Sequence, residues 1–296
     1  MNIEITGLSK VYPNGFAAIK DINLEIGSGM FGLLGPNGAG KSSFMRILVT
    51  VQKSTSGTIL IDGLDINEHR QKIRPLIGYL PQDFTYFSKL KTWEFLDYAA
   101  QLSTSLKKKE RIKKVDTLLD QVGLLDVRER MANKLSGGMK RRLGIAQALI
   151  GNPKLLVIDE PTTGLDPEER IRFRNILSDM SEKDVTIILS THIVGDISST
   201  CHNMAMLNKG EVAFKGSPEG MIDQVRGHVW QALLDDDEFN VIKAKYPVVS
   251  TIPTEGKWEV QVIADNQPHP KAKNANPNLE HAYVYFMENQ LGVSLV

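Results

Sequence analysis

The spacing of apolar residues along the chain predicts an α/β fold. Apolar and polar residues alternate at Ile3–Ile5 and Ile22–Ile26, and the turn sequence Pro13-Asn14-Gly15 lies between the two runs. This pattern predicts half-buried antiparallel strands joined by a turn. Further strands are expected where short apolar runs occur, at residues 30–34, 57–63, 155–158 and 185–189. The last two runs are continuous, which is typical of strands covered on both faces of a sheet.

Helical spacing dominates the middle of the chain, and the character changes again near the C-terminus. Apolar residues at three- and four-residue intervals predict a mostly helical segment over about 84–150. After about Val225 the sequence becomes acidic at Asp235–Glu238 and polar from 267 to 278, which is typical of a linker and a small separate module. We therefore expect one large domain at 1–225 and a C-terminal accessory module at 226–296.

Composition narrows the class of protein. Lys+Arg and Asp+Glu both number 35, so the formal net charge is zero and no basic excess points to nucleic acid. The single cysteine, Cys201, cannot form an internal disulfide and is predicted to be a buried small side chain. No apolar run approaches the ~20 residues of a membrane span, and the N-terminus lacks the pattern of a signal peptide. The expectation is a protein that stays inside the cell.

A glycine-rich loop between a predicted strand and a predicted helix indicates phosphate binding. Its sequence is Gly35-Pro36-Asn37-Gly38-Ala39-Gly40-Lys41-Ser42, which matches G-x-x-x-x-G-K-[ST] in full. Such glycines let consecutive backbone N–H groups point at phosphate oxygens, and the following helix adds its positive end. Lys41 would supply charge for the outer phosphates of ATP, and the Ser42 hydroxyl would ligate Mg²⁺.

A pair of carboxylates supplies the second half of such a site. Asp159 and Glu160 follow the apolar run 155–158, at the strand end where open α/β sheets bind ligands. Asp159 is predicted to hold the metal, and Glu160 to orient or deprotonate an attacking water. An acidic pair after a strand is often only a cap of the next turn, but its position after a phosphate loop favours catalysis.

A further segment narrows the class of phosphate-binding protein, and its sequence is Leu135-Ser136-Gly137-Gly138-Met139. With this segment the chain resembles the nucleotide-binding subunits of ABC transporters, from about Ile3 to Val225. The resemblance implies a P-loop NTPase core with an antiparallel β subdomain, a helical signature subdomain and, here, a small α+β C-terminal extension. The remaining family positions appear in order, and the nucleotide-binding set also includes Ser43. Tyr12 would stack on adenine, Gln82 would contact Mg²⁺, Asp166 would lie in the loop at the dimer interface, and His192 would contact the γ-phosphate.

The resemblance also implies partners. Two such chains would pack head to tail, so that the Leu135–Met139 segment of one covers the ATP bound by the other; whether the second chain is identical is left open. A separate transmembrane permease would receive the motion, with this chain peripheral on the inner face of the cell membrane. ATP and Mg²⁺ are the expected ligands, and nucleic acid is not. The aromatics Phe84, Tyr86, Phe87 and Trp93 are either core residues or the surface that receives a permease helix.

Two residue patterns point to a particular branch of the family. The family often has glutamine at the position of Met139. The run Leu-Ser-Gly-Gly-Met-Lys-Arg-Arg in this chain instead resembles the branch of drug, antibiotic and lipid exporters. Pro277-Asn278-Leu279-Glu280 is similar to a pattern in the C-terminal extension of that branch. The alternative is a soluble ABC ATPase acting on ribosomes or DNA, but a second cassette or a long coiled coil would then be expected. The sequence does not indicate the cargo or the role of the C-terminal module.

Overall fold

The computed structural model describes residues 1–87, 89–181 and 185–290 and divides the chain into two compact units. The first unit comprises Met1–Asp196 and Thr200–Lys215, and the second comprises Ile197–Ser199 and Gly216–Val296. The main part of the second unit begins ten residues before the module predicted at 226–296, of which residues 291–296 lie outside the described residues. No helix among the described residues is long and apolar enough to cross a membrane.

The strands of the first unit form two sheets. They are β1 (Ile3–Val11), β2 (Ala17–Ile26), β3 (Met30–Leu34), β4 (Ser56–Ile61), β5 (Leu64–Asp65), β6 (Ile77–Leu80), β7 (Leu155–Asp159), β8 (Thr186–Thr191), β9 (Asn203–Asn208) and β10 (Glu211–Gly216). One sheet has the order β2-β1-β4-β5 and is antiparallel throughout. The alternating pattern at the N-terminus thus predicted these strands correctly, since Ile3 and Ile5 are buried while Glu4 is exposed.

The helices of the first unit lie between these strands. They are α1 (Lys41–Leu48), α2 (Arg70–Ile73), α3 (Thr92–Ser103), α4 (Lys108–Gln121), α5 (Gly137–Leu149) and α6 (Pro167–Ser181), with short 3-10 turns at Arg74–Leu76, Leu125–Val127 and Ala132–Lys134. A further helix, α7 (Val194–Ser198), begins in the first unit and ends in residues assigned to the second. Helix α3 packs against α4 and α5, which confirms a helical segment in the middle of the chain. Arg111 of α4 forms an ion pair with Asp97 of α3 at 2.5 Å.

The central sheet brings several strand ends to one edge. Its order is β10-β9-β3-β8-β7-β6, and β6, β7, β8, β3 and β9 run parallel. Register pairs Leu80 with Ile158, Ile158 with Leu189, and Leu34 with Thr191. The strands β3, β7 and β8 are buried at every position, as their continuous apolar runs predict. The segments that follow β3, β6, β7 and β8 therefore meet at the same edge.

The second unit has its own sheet and core. It contains α8 (Pro218–Asp223), β11 (Val229–Leu234), α9 (Asp236–Lys243), β12 (Val248–Thr254), β13 (Lys257–Ile263), β14 (Lys273–Asn274), α10 (Leu279–Tyr285) and a π-helical turn (Phe286–Gln290). The sheet order is β12-β13-β11-β14 with antiparallel pairs. Leu234, Val260 and Val262 are buried together, with Phe239 stacked on Trp258 at 5.2 Å between ring centroids. This arrangement is the small α+β extension expected from the resemblance.

One local feature of the structure was not predicted from the sequence, and a second one was. The acidic run Asp235–Glu238, for which the sequence predicted a linker and a small module but no helix, is the start of α9: Asp235 caps the Glu238 N–H, and the Glu238 carboxylate accepts from the Asp235 N–H. Acidic residues stabilise a helix N-terminus, which is why such a run can begin a helix. Cys201 is 6% exposed, and burial raises its pKa to about 11, as expected of an inert buried thiol.

Candidate functional site

The phosphate loop joins β3 to α1 in the manner that its glycines allow. Gly40, immediately before α1, has a φ of 105°, and a Cβ there would lie 2.4 Å from the carbonyl oxygen of Ala18. Only glycine fits this combination of backbone conformation and close approach. The loop thus delivers Lys41 and Ser42 as the first residues of α1, where helical N–H groups have no intrahelical partner. Anions are favoured at such a helix end.

Lys41 is buried and directed at Glu160. Its ammonium lies 3.2 Å from Glu160 Oε1, and it donates to the carbonyls of Gly35 at 2.7 Å and Pro36 at 3.1 Å. Both side chains are almost fully buried, at 3% and 6% exposure. A buried charge requires a partner, and here each supplies the other. The sequence separated these two residues by more than a hundred positions, and the sheet brings them into contact.

Glu160 is held at several atoms. Its φ of 45° is unusual for a residue with a side chain. The Glu160 N–H donates to Ser190 Oγ at 3.1 Å, and Oε2 lies 3.1 Å from His192 Nδ1 and 3.3 Å from the Thr163 hydroxyl. The positions predicted as catalytic, Lys41, Glu160 and His192, therefore form one connected group. The Glu160 carboxylate contacts the Lys41 ammonium through one oxygen and the His192 imidazole through the other.

Asp159 is set apart from this group although it precedes Glu160. It is 1% exposed, and its Oδ1 accepts a hydrogen bond from Ser190 Oγ at 2.5 Å. Ser190 thus touches both carboxylate residues. It precedes His192 by two residues, but the sequence predicted no role for Ser190 itself. Charge-assisted hydrogen bonds of this kind are the stronger ones, so Ser190 fixes the end of β7.

An open cavity of about 480 Å³ lies over the phosphate loop. Its size is within the range of ligand pockets in proteins. It is lined by Phe16, Ala18, Asn37, Gly38, Gly40, Lys41, Ser42, Ser43, Gln82, Glu160, Thr163 and His192. Most of the predicted phosphate-binding positions, the predicted catalytic positions and Gln82 thus share one space, whereas Gly35, Pro36 and Ala39 of the loop do not line it. Asp159 does not line it, and lies one residue behind Glu160.

The aromatic residue that lines this cavity is Phe16, which sequence reasoning missed. Tyr12, predicted to stack on adenine, is tied down at its hydroxyl, which lies 3.0 Å from Ser43 Oγ and 3.4 Å from Gln52 Oε1. The hydrogen bond with Ser43 lowers the Tyr12 pKa. Phe16 is 56% exposed, and its ring centroid lies 6.5 Å from that of Tyr12 with an interplanar angle of 21°. Its place directly after the turn at residues 13–15 was the available signal.

The Leu135–Met139 segment caps α5 and faces elsewhere. Ser136 is the N-cap and accepts from the Met139 N–H at 3.2 Å, which satisfies one free donor of the helix end. Leu135 is 4% exposed, whereas Gly137 lines a second cavity of about 400 Å³ next to Gln82 and Glu160. None of the residues from 135 to 139 lines the cavity over the phosphate loop of the same chain. Their geometry does not assign them a ligand within one chain.

Gly138 and Asp166 are linked through α6. A Cβ at Gly138 would lie 2.4 Å from a carboxylate oxygen of Glu169, which pairs with Arg142 at 3.1 Å. Asp166, predicted to lie in the loop at a dimer interface, accepts from the Glu169 N–H at 2.9 Å and so begins α6. The small residue at 138 therefore lets the two helix N-termini approach each other.

The oxygen donors suit Mg²⁺ in company with phosphates. Ser42 and Gln82 line the cavity and Asp159 stands behind it, which offers a hydroxyl, an amide carbonyl and a carboxylate. Mg²⁺ prefers such hard oxygen ligands and is commonly bound by one or two carboxylates together with substrate phosphates. Among the described residues no group of three or more His, Cys, Asp or Glu side chains could hold a metal ion by itself. The residues present fit a metal that enters with the nucleotide.

Comparison with known proteins identifies a family and several relatives of this chain. Residues 19–163 match the family model described as ABC transporter. The chain is 32% identical over 292 residues to an uncharacterized ABC transporter ATP-binding protein of Synechocystis, covering 94% of this chain and 80% of the relative. It is 30% identical over 286 residues to a methionine import ATP-binding protein of Helicobacter pylori, covering 90% and 87%.

A solved structure agrees with the sequence comparisons. The dimeric post-hydrolysis structure of the ATP-binding cassette MJ0796, bound to ADP and Pi, superposes with a TM-score of 0.67 at 27% identity. The match covers 73% of this chain and 98% of that cassette. One of these relatives is named as an import protein, which does not support the exporter branch predicted from the sequence of residues 135–142.

Proposed function

This chain belongs to the ABC transporter family of ATP-binding proteins and is an ATPase, and we propose that it powers a transporter whose membrane-spanning part is a separate subunit. The observation that carries the proposal is the convergence of Lys41, Glu160 and His192 on the cavity over the phosphate loop. We assign the loop Gly35–Ser42 to the phosphates, Ser42, Gln82 and Asp159 to Mg²⁺, and Phe16 with Tyr12 to the base. Mg²⁺ would neutralise charge on the transferred phosphoryl group.

In this proposal Glu160 orients the attacking water and accepts its proton. The carboxylate is almost fully buried and held by Lys41, His192 and Thr163, so it does not need to reorganise during the reaction. His192 is one-third exposed at the cavity, where its imidazole would contact the outer phosphate. Positioning and electrostatic stabilisation supply most of the catalysis in phosphoryl transfer.

The second half of each ATP site would come from another cassette. The N-terminus of α5, with Ser136 as its cap, lies outside the cavity of its own chain and offers free N–H groups to an anion. A head-to-tail dimer would place it against the phosphates bound by the partner, and ATP would then join the two chains. The dimeric, nucleotide-bound state of the similar cassette MJ0796 supports a dimer.

A substitution at the cap tests the dimer. Ser136→Arg should lower ATPase activity at least about tenfold, because a large side chain keeps the helix end away from the partner's phosphates and a misplacement of about 1 Å is that costly. Met139→Gln is the matched control, since Met139 contributes its N–H to the Ser136 cap and that group is unchanged. Steady-state phosphate release measures both. Equal activity of the two variants would contradict the dimer.

The membrane partner is expected to bind the aromatic surface next to Gln82. Phe84 and Phe95 pack edge to face at 6.0 Å between centroids, and Phe95 is 4% exposed. Phe87 is 55% exposed and Tyr98 is 44% exposed, and their rings lie 5.5 Å apart. The cluster thus has a buried part and an open part, which suits an apolar groove that accepts a helix. The localisation that follows is the inner face of the cell membrane.

Phe87→Glu should reduce association with the membrane subunit while sparing most ATPase activity of the isolated chain. The side chain is more than half exposed, so the charge replaces solvent-facing apolar surface rather than core, and the melting temperature should change little. Leu102→Glu, at an apolar position of α3 that is 72% exposed, is the matched control. Co-purification of the tagged chain with detergent-solubilised membrane proteins measures association. Unfolding of Phe87→Glu would assign the cluster to the core.

For the cargo and direction of transport, we propose export of a drug, peptide antibiotic or lipid-like molecule. This proposal rests on the sequence of residues 135–142. The import relative from H. pylori supports the opposite direction. Transport assays on the co-purified complex in vesicles decide between them: cargo that accumulates on the side opposite the ATPase supports export. Stimulation of activity by ribosomes or DNA, with no membrane protein in the complex, would instead support a non-transport ATPase.

A further inference from the structure

Arg141 uses its whole guanidinium group on main-chain carbonyls. It lies in the second turn of α5 and donates through Nε to Pro161 at 2.9 Å. Nη1 donates to the carbonyls of Pro81 at 3.1 Å and Gln82 at 2.6 Å. Nη2 donates to those of Asp159 at 3.0 Å and Glu160 at 2.5 Å. A guanidinium has five N–H donors, and here all five have a carbonyl acceptor.

These carbonyls belong to two segments that diverge from the sheet. Strands β6 and β7 are parallel neighbours with Leu80 opposite Ile158. The acceptors are the last residue of β7, Asp159, and the residues that directly follow the two strands. The backbone carbonyls beyond a strand end have lost their ladder partners and need others. Arg141 supplies them to both segments at once, so one side chain sets the distance between the Gln82 backbone and the Glu160 backbone.

The contact acts on Glu160 at the point where its backbone is unusual. The Glu160 N–H is held by Ser190, and its carbonyl is held by Arg141. Both peptide groups that flank the φ of 45° are therefore fixed, which directs the carboxylate toward Lys41 and His192. Burial lowers the pKa of Arg141, while the charges of Asp159, Asp83 and Glu160 oppose that shift. The guanidinium stays charged in either case.

The neighbouring basic residues have other partners. Arg142 donates to the carbonyls of Val122 and Gly123 and pairs with Glu169. The Lys140 ammonium lies 5.1 Å from the centre of the Tyr86 ring. The run 140–142 is thus not a uniform charged surface, and its middle residue is the one that donates to backbone carbonyls of both segments.

We propose that Arg141 is a positioning residue that ties the signature helix α5 to Gln82 and Glu160 in the ATP site of the same chain. The inference rests on the proposed function, because it requires Glu160 to act in hydrolysis. A movement of α5, whose N-terminus is assigned to the partner's nucleotide, is transmitted by this guanidinium to the backbone that carries Glu160. Arg141 itself does not line the cavity over the phosphate loop, so it acts on turnover rather than on nucleotide binding.

Arg141→Lys separates a positioning role from charge. Lysine keeps the positive charge but presents three donors from one nitrogen, so it cannot serve both segments. We expect kcat for ATP to fall on the order of tenfold to a hundredfold, because small displacements of a catalytic group are that costly. KM and the affinity for a non-hydrolysable ATP analogue should change less than about threefold, because Arg141 does not line the cavity over the phosphate loop. The turnover rate is divided by the concentration of sites that bind the ATP analogue, so that protein unable to bind nucleotide is not counted.

Controls make each outcome decisive. Arg172→Lys removes the guanidinium of an exposed arginine on α6 that pairs with Glu168, and should leave kcat and KM unchanged. If wild type does not hydrolyse ATP, the proposed function fails. If wild type hydrolyses ATP and Arg141→Lys keeps full kcat, the positioning role fails. Arg141→Gln is made alongside, and failure of both variants to fold would show a structural residue and overturn the proposal.

Discussion

Glu160→Gln should bind ATP and lose nearly all turnover. The amide keeps the shape of the carboxylate but cannot accept a proton from the attacking water, and such a loss typically costs ~10²–10⁴ in rate. Binding should persist because the phosphate loop and Lys41 are unchanged. ATP should then hold two chains together, since the contacts to the γ-phosphate are made and not broken. Phosphate release and size-exclusion chromatography with ATP measure the two effects.

The structure adds a stability effect to this prediction. The Lys41 side chain is 3% exposed and loses its charged partner in Glu160→Gln, although the carbonyls of Gly35 and Pro36 remain. Removing one member of a buried ion pair costs about 3–5 kcal/mol where nothing replaces it, so the nucleotide-free variant should melt at a lower temperature. Addition of ATP should restore stability because phosphates bind the free ammonium. Glu168→Gln, at an exposed carboxylate, is the control. Phosphate release at the wild-type rate would refute the catalytic assignment.

Much of the site could be predicted because its residues follow buried strands. A phosphate loop after β3 and an acidic pair after β7 are local patterns, and parallel strands bring their carboxyl ends to one edge. The resemblance to a family then added Gln82 and His192, which follow β6 and β8. Each of these positions can be placed from the strand it follows, without knowledge of side-chain packing.

The remaining contacts depend on packing between segments distant in sequence. Ser190 and Arg141 touch the ends of β7, but a serine in an apolar strand and an arginine in a basic run have no distinctive local pattern. Phe16 was missed because Tyr12 matched the family position, whereas the hydroxyl of Tyr12 is tied to Ser43. The helix α9 was not predicted because an acidic run is compatible with a loop and with a helix N-terminus, and the Asp235–Glu238 hydrogen bonds distinguish the two.

Lys41→Ala should act one step earlier than Glu160→Gln, by weakening ATP binding itself. Lys41 is the cation of the phosphate loop, and the variant loses its hydrogen bonds to charged phosphate oxygens. Such bonds contribute about 1.5–3 kcal/mol each, so affinity should fall on the order of tenfold to a hundredfold. Calorimetric titration with ATP measures the affinity. Lys215→Ala, which removes an exposed lysine of the same unit, should bind like wild type.

The ion pair complicates Lys41→Ala in a way that a second variant resolves. Alanine leaves Glu160 buried at 6% exposure without its ammonium, although His192 and Thr163 still contact the carboxylate. An unpaired buried charge destabilises the fold and repels phosphate, and either effect would lower the apparent affinity without any direct contact from Lys41. In Lys41→Ala with Glu160→Gln that charge is absent, so binding weaker than in Glu160→Gln alone measures the lysine contact to phosphate. Equal affinity of the double variant and Glu160→Gln would show that Lys41 pairs with Glu160 and does not bind the nucleotide.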